Sequence, residues 1–455
     1  MGSWSLAVAG YWRVRNCSMY SKRIVVLSLV ATFGLGGLCR AQGVQPAATS
    51  GSDRSQTSTP ADIEQLTAEL AALEARMKEL EARLAQASAS GTPPQATPEP
   101  ILVEPPAPEE HEHTMRMPGG GPELKIRGFA DLNLGFGSDA NNLIFPLVPP
   151  GEPIHNTFQL GEFDLFLSSK LSPKISFVSE VVIGADHTNY WGLDIERLQV
   201  TYKASPYFAI SGGRIHTSIG YYNTAYHHGT WFQTATGRPY MYFFEDSGGL
   251  LPVHEVGVST TGLVPGTGNL ELHWVAEVSN GRSSDPTGQP VQNFLSDKNH
   301  KAFNLATYVK PHWVSGLQVG GSFYHDRMVP VNVPHVDQNI SSLYAVFINS
   351  TWEFMNEAAL INNHSDGAIA SNNTPLMYSQ ISRKFGKYRP YFRYQYVNGS
   401  ATDPVNIFTG RYQGPSVGVR MDYTDYLALK VQYNRLDQRN LPAGNGVDLQ
   451  MAYAF

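Results

Sequence analysis

The sequence predicts an all-β chain: a transmembrane antiparallel β-barrel of about 16 strands, preceded by a short α-helical coiled coil. Three observations carry this. From residue 123 onward apolar and polar residues alternate with period two. The connections between these runs are short and long in strict turn, and the last run ends on an aromatic residue, Phe455. Composition agrees: of 455 residues only 16% are charged, against the usual quarter, with 42 Gly, 30 Pro and 23 Tyr. No window of 18 uninterrupted apolar residues exists, which excludes a helical membrane protein. The Tyr, Phe, Val and Leu of the last three quarters exclude disorder throughout.

Residues 1–41 read as a secretory signal, with Lys22 and Arg23 as the positive start, Ile24 to Leu38 as the apolar stretch and Cys39-Arg40-Ala41 as the cleavage region. Met19 makes a more ordinary start than Met1. Leu38 stands before Cys39 where lipidation wants a small residue. Cleavage near Ala41 removes both cysteines, Cys17 and Cys39, and with them disulfides and thiol chemistry.

A polar lead, residues 42–61, precedes a coiled coil at 62–86. Ile63, Leu66, Leu70, Leu73, Met77, Leu80 and Leu84 follow a 3,4 spacing, an a/d seam set among good helix formers. An isolated helix of this length is marginal in water, so the seam predicts self-association, and a homotrimer is the favoured state. Residues 87–122 hold nine prolines and several glutamates and read as an extended spacer, in which His111 and His113 are solvated rather than metal-bound.

The barrel is assigned to residues 123–455. Leu165, Leu167 and Leu171 oppose Glu162, Asp164 and Ser168; Ile175, Phe177, Val181 and Ile183 oppose Lys174, Ser176 and Glu180. The same alternation runs through 197–203, 270–278, 392–396 and 429–434. Seven short turns and eight long polar loops imply about 16 strands with both ends on the short-turn side, the pattern of an outer-membrane barrel. Closure removes every unpaired edge, as lipid demands. In the final strand Val447, Leu449, Met451, Tyr453 and Phe455 alternate with smaller or polar residues. This ending resembles the signal read by the barrel assembly machinery, with Tyr453 and Phe455 its aromatic residues.

No convergent catalytic set, metal site or cofactor motif stands out, so the chain is not read as an enzyme; His227, His228 and His254 are taken as structural or solvated. Residues 123–455 carry 23 basic and 27 acidic residues, and no nucleic-acid footprint is visible. A barrel of this size leaves an aqueous channel. The polar parity that would line it holds Arg197, Lys203, Arg214, Arg393, Arg420 and Lys430 against Glu162, Asp164, Glu180, Glu271, Glu277 and Asp422. Opposed charges there favour small polar solutes. The longest loop, residues 220–253, is the third long one; Tyr226, Trp231, Arg238 and Tyr240 make it the candidate constriction. The expectation is a passive porin in outer-membrane lipid, with the coiled coil in the periplasm. The alternative is a structural protein whose stalk tethers the outer membrane to the cell wall.

The order coiled coil, Pro-rich spacer, barrel, with Phe158-Gln159-Leu160, Lys170-Leu171-Ser172-Pro173-Lys174-Ile175-Ser176-Phe177 and Glu196-Arg197-Leu198-Gln199-Val200-Thr201-Tyr202, resembles the phosphate-selective porin O/P family. The resemblance implies a trimeric 16-stranded anion channel. That family uses a dense Arg ladder and Lys-rich loops, whereas lysine is sparse here, so the fold and the pore are carried over and the solute is not.

Overall fold

Period-two alternation sends successive side chains to opposite faces of a sheet, and a closed sheet turns those faces into an inside and an outside. The computed structural model describes residue 78 and residues 113–115, 121–137, 156–185, 190–226, 229–243, 249–283, 294–329, 334–406, 409–438 and 443–455. The leader, the polar lead, the coiled-coil seam, most of the Pro-rich spacer, and His227 and His228 lie outside the described residues.

Sixteen strands follow one another around the barrel: β1 Leu124–Gly137, β2 Thr157–Ser172, β3 Ile175–Ala185, β4 Trp191–Ser205, β5 Phe208–His216, β6 His254–Leu263, β7 Leu272–Ser279, β8 Ala302–Val309, β9 Leu317–Met328, β10 Val336–Ile348, β11 Trp352–Ser365, β12 Asn372–Arg383, β13 Tyr388–Asn398, β14 Arg411–Asp422, β15 Leu427–Gln438 and β16 Gly444–Ala454. Each pairs antiparallel with the next, and β16 pairs with β1, from Gly446 opposite Gly137 to Ala454 opposite Phe129, which closes the sheet. Past that seam a three-residue strand, His113–Met115, takes up the edge of β1 at Leu124 to Ile126. The alternation of short and long connections read from the sequence is the one observed.

The short turns show why the chain reverses where it does. In four of them a side-chain oxygen takes the freed backbone N–H groups: Ser172 Oγ accepts from Lys174 and Ile175, Ser205 Oγ from Tyr207, Asn349 Oδ1 from Thr351 and Trp352, and Thr424 Oγ1 from Tyr426. The other three carry a glycine at positive φ: Gly266, Gly316 and Gly386.

The outer surface is a belt of exposed Leu, Val, Ile and Phe, among them Leu198, Val200, Val258, Leu305 and Leu343. At the short-turn end it finishes in Tyr207, Trp313, Phe385, Tyr388, Tyr423 and Phe455, and at the long-loop end in Phe158, Tyr190 and Trp191. This apolar band between aromatic girdles is the exterior that lipid selects.

The inner surface is not uniformly polar. On β9 to β12 it carries Tyr324, Ile340, Tyr344, Val346, Met355, Ala359, Ile361, Leu376 and Tyr378, all buried and joined in one cluster with Ile219, Tyr222, Tyr226, Tyr242 and Leu251 of the loop between β5 and β6. Along these stretches the strands are apolar inside as well as outside, because the inner residues pack on that loop; buried polar groups such as Asp326, Gln338, Glu353 and Glu357 stand between them.

Candidate channel constriction

The described parts of the connection between His216 and His254 run inside the barrel. It begins from two inward carboxylates. Glu277 on β7 accepts from Ser218 N (3.0 Å) and Ser218 Oγ (2.9 Å), and Glu357 on β11 accepts from Tyr221 N (2.6 Å) and Tyr222 N (2.9 Å). One short helical turn, α1, Tyr222–Ala225, follows, then 3-10 turns at Thr230–Phe232 and Tyr240–Tyr242. Asn223 ties the two ends of the loop together: its Nδ2 donates to Thr217 O (2.8 Å) and to Val253 O (2.9 Å).

The middle of the loop is held by cations on the opposite strands. Arg389, Arg420 and Lys430 stand directly across from one another on β13, β14 and β15. Like charges so placed are destabilising unless acceptors intervene, and the loop backbone supplies them. Lys430 Nζ donates to Thr230 O (2.6 Å), Ala235 O (3.0 Å) and Gln450 Oε1 (2.8 Å); Arg420 Nη1 donates to Trp231 O (2.5 Å) and Gln233 O (3.0 Å); Arg393 Nη1 donates to Gly237 O (2.6 Å). The loop returns donors of its own: Thr236 Oγ1 to Asp448 (3.0 Å), Tyr240 N to Gln395 (2.8 Å) and Thr234 Oγ1 to Glu353 (2.9 Å). Apolar contact with β9 to β12 and polar ties to β11 through β16 thus lay the segment along one side of the interior.

The four loop residues singled out from sequence sit within this assembly. Tyr226 stacks on Tyr222 (4.9 Å), Trp231 lies under the Arg420 guanidinium (5.7 Å), and Tyr240 packs on Tyr412 (5.8 Å). Arg238 turns back on its own loop, its Nε donating to Tyr242 O (2.8 Å) and its guanidinium lying 5.5 Å over Tyr222. Burial pushes the Tyr222 phenol up to about 12 and that of Tyr242 well above its ordinary value, so both remain protonated, and Tyr242 Oη donates to Glu357.

The expected lining residues fall into separate groups. Arg393 and Lys430 are buried beneath the loop, and Arg420 and Asp422 pair beside it at 2.7 Å. Asp164, Glu180 and Glu277 are buried on the inner wall. A register shift between Glu180 and Val181 of β3 sets Glu196 beside Arg197 on β4. Arg197 pairs with Glu180 (3.0 Å), while Glu196 takes Arg214 (3.5 Å) and His254 (3.1 Å). Arg214 pairs in register with Leu198 and Val256 and is covered by the Phe294 ring (4.5 Å), so it sits in a packed cluster, with Gly213 (φ 133°) breaking the alternation just before it. Glu162 N donates to Asp131 (3.3 Å), and Lys203 is exposed near the short-turn end. Glu271 is in the turn before β7, at φ 48°, bonded to His273 (2.9 Å) and His312 (2.6 Å) rather than standing on a strand wall.

Both signs are buried, acids more often than bases. Asp131, Asp164, Glu180, Glu196, Glu255, Glu277, Asp326, Glu353, Glu357 and Asp448 are buried, as are Arg214, Arg282, Lys298, Arg393 and Lys430, whereas Lys125, Arg127, Arg197, Lys203, Arg389 and Arg420 keep exposed surface, as do Glu162, Asp194 and Asp422. Sequence reasoning missed Glu353, Glu357, Glu196 and Asp326. The inner face of β11 reads Glu353, Met355, Glu357, Ala359, Ile361, which hides the polar parity. Apolar residues set among the carboxylates of an inner face, as Met355, Ala359 and Ile361 are here, are the signal for a strand beneath a loop.

A closed 16-stranded barrel with aromatic girdles and a loop folded inside is the porin type of outer-membrane fold. No protein-family model and no curated protein sequence matches the chain. Among solved structures it is similar to an anion-selective porin from Comamonas acidovorans, with a TM-score of 0.50 at 10% identity over 73% of this chain and 100% of that one. It is similar also to the outer membrane channel DcaP of Acinetobacter baumannii, with a TM-score of 0.50 at 12% identity over 74% of this chain and 98% of that one.

Proposed function

We propose that the protein is an outer-membrane diffusion channel for small polar or ionic solutes, constricted by the loop between β5 and β6. The observation that carries this is the loop's course inside the barrel, tied to the inner face of β11, β13, β14, β15 and β16. A segment held along part of the wall leaves the rest of the interior to the aqueous path. Deleting residues 224–240 is expected to raise single-channel conductance in planar bilayers; an unchanged conductance from a folded barrel would show that the loop does not limit flow.

The solute preference we infer is for anions. It rests on the groups that keep exposed surface: more of the carboxylates than of the bases are buried, and bases predominate among the partly exposed inner groups. The local field along the path then differs in sign from the net charge of the barrel. Reversal potentials in a salt gradient test this, and cation preference would refute it. The phosphate-selective resemblance, the homotrimer and the periplasmic coiled coil belong to the same proposal. Crosslinking the full chain and a truncation beginning at residue 87 separates an oligomer held by the seam from one held by the barrel alone.

A further inference from the structure

Arg420 and Lys430 each hold neighbouring carbonyls of the loop midsection; Glu357 joins the first turn of the loop to Tyr242 on the far side of that midsection. Its carboxylate accepts from Tyr221 N and Tyr222 N, at the start of the helical turn α1, and from Tyr242 Oη (2.6 Å), in the second 3-10 turn. Tyr378 Oη on β12 gives the fourth donor (2.5 Å). Four donors use the full accepting capacity of a carboxylate. The approach is close enough to exclude a side chain at Gly220, whose φ is 77° and whose Cβ would lie 1.7 Å from Tyr242 Oη and 2.5 Å from Glu357 Oε2. Met355 and Ala359, its neighbours on the same face, are apolar and buried in the loop cluster, so no other inner group of β11 can take these donors there. Glu353, one step further along that face, serves Thr234 and Gln380 instead.

The structure assigns Glu357 as the positioning residue of the constriction: one carboxylate that gathers the backbone at Tyr221 and Tyr222 and the Tyr242 hydroxyl and so fixes how far the loop midsection stands into the lumen. This rests on the channel reading above. Without Glu357 the midsection is still tied to Arg393, Arg420 and Lys430, so the loop shifts while the barrel persists. Glu357→Gln keeps the shape but sets an NH2 group against N–H and O–H donors, and retains at most the bonds to one oxygen.

The test uses the full chain with Cys17→Ser and Cys39→Ser, and Ala225→Cys as a thiol probe in the helical turn α1. Glu357→Ala is expected to raise the labelling rate of that probe thiol at least tenfold and to raise single-channel conductance, with Glu357→Gln in between and heat-modifiable barrel mobility unchanged. Labelling and conductance both unchanged overturn the assignment, as does a conductance rise without a rise in labelling. Faster labelling at unchanged conductance overturns the constriction reading instead, and conductance of the 224–240 deletion then stays unchanged as well.

Discussion

The closing seam of the barrel offers a quantitative test. Gly128 and Phe455 exchange two backbone hydrogen bonds, Gly128 N to Phe455 O at 2.7 Å and Phe455 N to Gly128 O at 2.9 Å. The terminal ring lies across the glycine, so that a Cβ there would stand 2.2 Å from Phe455 Cε2. Gly128→Ala must therefore swing the ring out of its slot. The ring then loses its contacts with Phe163 (5.6 Å between centroids) and Tyr453 (6.4 Å). Two aromatic pairs at about 0.5–1.5 kcal/mol each put the cost at about 1–3 kcal/mol. Phe455→Ala should cost about the same, because it removes the same contacts. In the double variant there is nothing left to displace, and alanine is better than glycine within a strand by about 0.5–1 kcal/mol. The double variant should thus be no less stable than Phe455→Ala alone. Urea unfolding of refolded barrels, followed by the mobility difference between folded and unfolded forms, measures all four corners of the cycle. Additive costs would refute the ring-in-slot account. Refolding in vitro matters here, because Phe455 is also read as part of the assembly signal.

Three further outcomes follow from the anchors. Lys430→Met leaves Thr230 O and Ala235 O without their buried donor, a loss expected to be about 1–3 kcal/mol for each carbonyl, partly offset because methionine needs no desolvation, and visible as a lower urea midpoint. Asp326→Ala strands the buried Lys298 ammonium (2.6 Å from Asp326) and frees Arg282 N, so protease cleavage within residues 281–300 should quicken while the barrel core stays protected. At the turn before β7, partial burial pushes the Glu271 carboxyl up, but hydrogen bonds with His273 and His312 outweigh it and hold the group below its ordinary value. A carboxyl depressed in the folded state stabilises above its unfolded value, near 4.5, and that stabilisation is lost as pH falls through the folded value. Amide exchange across residues 264–272 should therefore accelerate on acidification below that point, and Glu271→Gln should abolish the pH dependence.

The strand plan was legible in the residues because its cause is local. Pleating forces period two, lipid forces one apolar parity, and turn residues such as Ser172, Ser205, Asn349 and Gly386 mark where the chain reverses; each signal spans a few neighbouring positions. The long loop before His254 stood out by its length and its aromatics for the same reason. Tertiary structure alone decided which wall that loop lies on and which groups hold it. Glu357 meets Tyr221 across 136 positions of sequence and Lys430 meets Thr230 across 200, distances over which no periodicity carries information. Likewise the sign of a residue is written in the chain, but whether Lys430 faces water or a loop carbonyl, and Glu277 water or a loop N–H, depends on what the closed barrel packs against it. The sequence by itself therefore determined a closed, alternating 16-stranded wall. The placement of its longest loop and the burial of its charges were set by long-range contacts that exist only once the wall has closed.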